Sequence, residues 1–148
     1  MNKQPLLEAK QVSISFPMPN HVSILVVDDI NFILHEGEFV AILGSSGSGK
    51  SSFLRCLSGL IPPSKGSVLY RNKPLTGANP NVSMVFQSAA LFPWLNVMDN
   101  VSVGLKAKGT PKDEIEKRSL SGIDLVGLDG FETAYPKELS GGMRQRVG

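Results

Sequence analysis

Apolar positions in the first half of the chain recur with the period of strands. Residues 6–16 alternate in part and end on Phe16, which predicts a strand. Pro17-Met18-Pro19-Asn20 predicts a turn or loop. Residues 22–27 and 31–35 predict two more strands, followed by a tight turn at Glu36-Gly37. Residues 38–43, Glu-Phe-Val-Ala-Ile-Leu, form a short apolar run suited to a buried strand. The short connections favour antiparallel pairing in this part of the chain. Residues 50–59 predict a helix closed by Gly59, with Phe53, Leu54, Leu57 and Leu60 at helical spacing. Residues 66–70 and 82–86 predict two further strands, with Gly, Asn and Pro between them.

After Gln87 the period lengthens. Residues 97–106 and 111–126 suit helices. Thr110-Pro111 begins the second, with Asp113 and Glu114 in its first turn, where the helix dipole favours them. Two glycines and Pro136 make residues 127–138 a loop, and a last helix starts at Ser140. Internal repeats and low-complexity tracts do not occur outside a Gly/Ser cluster at 44–52.

Composition narrows the function classes. At 148 residues the chain is long enough for a domain with a real core. A net charge of +2 is too small to argue for nucleic acid as a partner. The single Cys56 cannot form an internal disulfide, which fits a reducing cytoplasm, and it reads as a small buried apolar residue. The sequence lacks an apolar run approaching the roughly 20 residues that span a bilayer. Met1-Asn2-Lys3-Gln4-Pro5 lacks the apolar core of a signal peptide. The expectation is a chain neither secreted nor integral, reaching a membrane only through a partner.

The Gly/Ser cluster carries the chemistry. Gly44-Ser45-Ser46-Gly47-Ser48-Gly49-Lys50-Ser51 is the P-loop pattern: Gly, four residues, Gly-Lys-Ser. Gly44, Gly47 and Gly49 are expected to take positive φ in a tight turn. The backbone N–H groups then form a nest for phosphates, helped by the N-terminus of the helix that follows. Lys50 supplies charge to the β- and γ-phosphates and Ser51 a hydroxyl to Mg²⁺. A flexible Gly/Ser linker is the competing reading, but linkers do not ordinarily sit between a buried strand and an amphipathic helix.

A second motif follows at Leu139-Ser140-Gly141-Gly142-Met143-Arg144-Gln145-Arg146. Ser140 is a good N-cap, and the two glycines leave the helix N–H groups open to an anion. This segment resembles the signature motif of the ATP-binding cassette (ABC) transporter ATPases. The P-loop resembles theirs, as does Val85-Phe86-Gln87, their Q-loop, and the three stand in the family's order. The resemblance covers essentially the whole chain.

It implies an α/β P-loop NTPase fold. An N-terminal antiparallel β-subdomain and an incomplete RecA-like core would occupy residues 1–88, and a helical subdomain residues 89–148. ATP and Mg²⁺ are the implied cofactors. Gly44, Ser45, Ser46, Gly47, Ser48, Gly49, Lys50, Ser51 and Ser52 match the phosphate and magnesium loop. Phe16 matches the aromatic that stacks on adenine, with strand packing as the alternative. Gln87 matches the glutamine that reaches Mg²⁺ and the attacking water and links ATP to the transmembrane partner. Otherwise it is a polar surface residue after a strand. Ser140, Gly141 and Gly142 match the signature that contacts a γ-phosphate held by a second copy of the subunit. Such a pair is isologous, so one protein supplies both halves of both sites. Permease subunits and a solute-binding protein are the other implied partners, and the cytoplasmic face of the plasma membrane the implied location.

Residues 89–101 and the stretches 127–132 and 134–139 resemble importers of nitrate, sulfonate, taurine and similar small anions. Phe92-Pro93-Trp94 reads either as an exposed apolar edge for a membrane subunit's coupling helix or as internal packing. The family's catalytic glutamate, dimer-contact loop and switch histidine have no counterpart at matching positions. This 148-residue chain alone is therefore expected to be inactive as an ATPase. His21 and His35 precede the P-loop and read as surface strand or loop residues. Ile24-Leu25-Val26-Val27-Asp28-Asp29 imitates an acidic strand end, but its place before the P-loop assigns it to the antiparallel sheet. The alternatives left are a nucleotide-binding fragment without ATPase activity and an unrelated P-loop enzyme such as a small-molecule kinase.

Overall fold

The structure is a computed structural model that describes residues 4–19 and 22–148. His21 lies outside them. The described residues divide into two compact units, one running to Met84 and the other from Val85 to Gly148.

The first unit is built on a four-stranded antiparallel sheet. It comprises β1 (Pro5–Pro17), β2 (Ser23–His35), β3 (Lys65–Tyr70) and β4 (Lys73–Pro74), in the order β2-β1-β3-β4. The helix α1 (Lys50–Leu57) buries Phe53, Cys56 and Leu57 against this sheet. Opposite them stand Leu7, Ala9, Val12, Ile14, Val27 and Val68, and Phe53 meets Phe32 edge to face at 5.9 Å. Val12 and Ile14 are completely enclosed, so this is the core that fixes α1 and the loop leading into it.

Three expectations fail here, each for a nonlocal reason. The two strands expected at 22–27 and 31–35 are one strand, because a tertiary bond carries the chain through the acid pair. Asp29 takes positive φ (46°), its N–H donates to Ser13 Oγ at 3.1 Å, and Ser13 Oγ donates to Asp28 Oδ1 at 3.1 Å. Ser13, although polar, is thereby satisfied inside the core. Residues 38–43 and 82–86 form no strand. Neither has a ladder partner among the described residues, and an extended segment needs one to satisfy its backbone. Phe39, Leu43 and Val85 stand 96 %, 90 % and 88 % exposed, so 38–43 is not a buried strand either.

Burial pushes the Cys56 thiol up from its usual pKa. A neutral thiol 1 % exposed is a poor nucleophile. Cys56 is expected to react with a thiol reagent about 100-fold more slowly in the native chain than in the unfolded one. Equal rates in water and in denaturant would show that α1 does not pack as described.

The second unit is helical. Asn96 caps α2 (Val97–Ala107) by accepting the Asp99 N–H at 2.7 Å. The N–H groups of Val97 and Met98 donate to the carbonyls of Ala134 and Glu132, so this helix start is tied down by a distant loop. α3 (Lys112–Leu125) packs on α2, and α4 (Gly141–Val147) ends the described chain. Val97, Ile123, Leu128 and Leu139 form the buried centre of this unit. The segment expected as loop at 127–138 also holds a 3₁₀ turn at Pro136–Glu138. Among the described residues no helix is long and apolar enough to cross a membrane.

Candidate phosphate-binding and signature sites

The P-loop occupies the turn between residue 43 and α1. Gly47 and Gly49 take φ of 78° and 86°, as expected for them, but Gly44 does not have positive φ. A Cβ at Gly44 would lie 2.7 Å from Ser48 Oγ, a hydroxyl that can rotate away. At Gly49 a Cβ would come within 2.7 Å of the Val26 carbonyl and 2.9 Å of Val27 Cγ2. The loop backbone therefore presses directly on β2, and glycine is what lets it do so. Gly49 is also the N-cap of α1 and has no side chain to cap with, so the helix begins without a side-chain acceptor.

Lys50 closes the loop from inside. Its Nζ donates to the carbonyls of Ser45 and Gly44 at 2.6 and 2.9 Å and approaches Ser48 Oγ at 3.4 Å. Ser45, Ser46, Ser48 and Ser51 are exposed along the loop and the first helical turn, and Ser52 is half-buried. This donor set fits a polyphosphate with Mg²⁺: an uncapped helix start, a cationic side chain and a hydroxyl. Phe16 sits near the end of β1, opposite Ile24, and is 39 % exposed.

The remaining sites lie in the second unit. Gln87 is exposed in a bend. Ser140 caps α4 through an Oγ that accepts the Met143 N–H at 3.2 Å. Gly141 and Gly142 open the helix and are both exposed. Two arginines fasten this segment. Arg144 donates to the carbonyls of Leu139 and Pro136, and Arg146 to those of Val126 and Gly127. All four carbonyls precede α4 in the chain, so the arginines tie the helix back to the loops before it. In the turn before α2, Phe92 and Trp94 are 41 % and 69 % exposed with ring centroids 5.4 Å apart, so the pair is not internal packing of the unit. Glu132 accepts the Gly130 N–H at 3.0 Å, and backbone hydrogen bonds at Glu132 and Gly130 hold its carboxyl below the usual range.

Residues 27–148 match the family described as ABC transporter. An ABC transporter ATP-binding protein of Methanocaldococcus jannaschii is 46 % identical over 121 residues, 82 % of this chain and 45 % of that one. The nitrate import ATP-binding protein NrtD of Synechocystis is 44 % identical over 125 residues, 84 % of this chain and 47 % of its own. The chain thus spans about half the length of these curated relatives. Among solved structures, a dimeric ATP-binding cassette in a post-hydrolysis state with ADP and Pi superposes with a TM-score of 0.82 at 31 % identity. The match covers 95 % of this chain and 66 % of that one. A Clostridium perfringens protein, part of the ABC transporter complex cbiONQ, gives a TM-score of 0.71 at 27 % identity, over 98 % of this chain and 59 % of its own. With a family match over most of its length, the P-loop and signature in order and the cassette fold, the chain belongs to the ATP-binding proteins of ABC transporters.

Proposed function

We propose that the chain supplies the phosphate-binding loop and the signature of the ATP-binding subunit of an importer for a small anion of the nitrate type. The observation that carries the reading is Lys50 drawn into a glycine loop at an uncapped helix start. That arrangement serves the β- and γ-phosphates of a nucleoside triphosphate. In this reading Gly44 to Gly49 wrap the phosphates, Ser51 and Ser52 line the magnesium side, and Phe16 stacks on the base. Gln87 reaches toward the metal and the attacking water. Ser140, Gly141 and Gly142 face the γ-phosphate held by a second copy of the subunit.

Hydrolysis would weaken that bridge and let the two copies part, a change passed to permease subunits at the cytoplasmic face of the membrane. A solute-binding protein completes such an importer. The 44 % identity to the nitrate import protein supports the small-anion assignment.

MgATP is expected to raise the thermal midpoint of the chain, whereas AMP, which lacks the β- and γ-phosphates, is not. At about 100 times the dissociation constant the ATP shift corresponds to about 2.7 kcal/mol. Equal shifts with both nucleotides would refute a site built for the β- and γ-phosphates.

A further inference from the structure

Asn79 is 6 % exposed, and its Nδ2 has no hydrogen-bond partner among the described residues. The other end of the amide fixes which atom is which. Oδ1 accepts the Asn81 N–H at 3.0 Å, with Asn81 Nδ2 at 3.4 Å, so exchanging oxygen and nitrogen would set donor against donor. The backbone is held on both sides as well. The Asn79 N–H donates to the Ser58 carbonyl and the Asn79 carbonyl accepts the Val82 N–H, each at 3.1 Å. A buried amide donor without an acceptor costs free energy, so the nitrogen asks for an oxygen that the chain does not supply.

Asn79 is one wall of a cleft of about 550 Å³, within the size range of small-molecule sites. Arg71 and Lys73 line the same cleft, and none of the lining residues is acidic. The hairpin between β3 and β4 sets both cations. Tyr70 pairs with Lys73, which leaves Arg71 and Asn72 as a two-residue turn with φ of 47° and 62°. Asn72 tolerates that left-handed backbone, but Arg71 adopts it at a cost that glycine would avoid. The Arg71 guanidinium lies over the Tyr70 ring, 5.7 Å from its centroid, and meets Glu36 at 3.6 Å. That ion pair is exposed and contributes little, so it does not hold the guanidinium away from a second anion. Two cations and an amide donor, with no carboxylate in the wall, favour an oxyanion of two charges over one of a single charge.

We propose that this cleft binds the phosphate group of a small solute through Asn79, Arg71 and Lys73. It stands apart from the P-loop. The Asn79 loop packs at the C-terminal end of α1, where a Cβ on Gly59 would collide with the Gly77 carbonyl, whereas the P-loop leads into the N-terminal end.

Amide-resolved NMR of the nucleotide-free chain separates the two sites, because residues 44–51 report on the P-loop and residues 71–81 on the cleft. Inorganic phosphate at constant ionic strength is expected to shift the cleft amides and the Asn79 side-chain NH₂ pair saturably. Nitrate, with one charge, should bind there about tenfold more weakly. Lys73→Glu, at an exposed position, should weaken phosphate at the cleft by about tenfold or more and leave the shifts at 44–51 unchanged. Asn79→Asp keeps an acceptor for the Asn81 N–H and removes the donor, so it should abolish binding at the cleft. If that variant fails to fold, Lys73→Glu decides alone. Glycerol 3-phosphate tells two sources of the group apart. Shifts with both probes identify a phosphate ester, shifts with inorganic phosphate alone identify the free ion, and either supports the site. Shifts confined to residues 44–51, shifts that sodium chloride reproduces, or unchanged cleft affinity in a folded Lys73→Glu chain would each overturn the proposal.

Discussion

Replacing Lys50 by alanine is expected to weaken MgATP binding by about 10- to 100-fold, with little change in the stability of the free chain. The asymmetry follows from what the ammonium touches. In the free loop it bonds to the Ser45 and Gly44 carbonyls, neutral acceptors at an exposed turn that water can satisfy once the side chain is gone. A phosphate oxygen is charged, and a charge-assisted bond is worth about 1.5–3 kcal/mol, which sets the expected range. Titration calorimetry with MgATP measures the loss, and thermal unfolding without nucleotide provides the control. Arginine should not restore binding, because its planar fork does not fit a loop folded around a compact ammonium. Alanine binding within threefold of wild type would mean that the ammonium stays on its carbonyls when nucleotide enters.

The place of Lys50 at the end of the glycine loop was legible in the sequence because it is set by neighbours along the chain. The same holds for Gly47, Gly49, the α1 stripe of Phe53 and Leu57, and Ser140 as a cap. Sequence reasoning failed where geometry depends on residues far along the chain. Gly44 is a separate case: it lacks the positive φ expected of it. The apolar runs at 38–43 and 82–86 carry strand composition, yet composition cannot provide a partner strand, and neither segment is paired. Asp28-Asp29 reads as a break, but the ladder to β1 resumes at Val12–Ile30 and Ser13 on that strand bonds to both acids.

Ile123→Ala is expected to cost about 2–5 kcal/mol, a large share of the 5–15 kcal/mol by which ordinary domains are stable. Ile123 is 1 % exposed and packs with Val97, Leu128 and Leu139, the buried apolar cluster of the helical unit. Removing its outer carbons leaves a cavity that three side chains from a helix and two loops are poorly placed to close. Leu125, two positions later on the same helix, is 86 % exposed, so Leu125→Ala should change stability by no more than about 0.5 kcal/mol. Denaturant unfolding followed by helical circular dichroism compares the two directly, and equal losses would show that the cluster is not the core of this unit. The functional reach of the substitution runs through Leu139. That residue is part of the cluster and is followed at once by Ser140, whose hydroxyl starts α4. A loosened cluster frees the Leu139 backbone, whose carbonyl Arg144 holds, and with it the orientation of Ser140, Gly141 and Gly142. ATP-dependent self-association, which the proposed function assigns to those three residues, should therefore be lost in Ile123→Ala at temperatures where Leu125→Ala still associates.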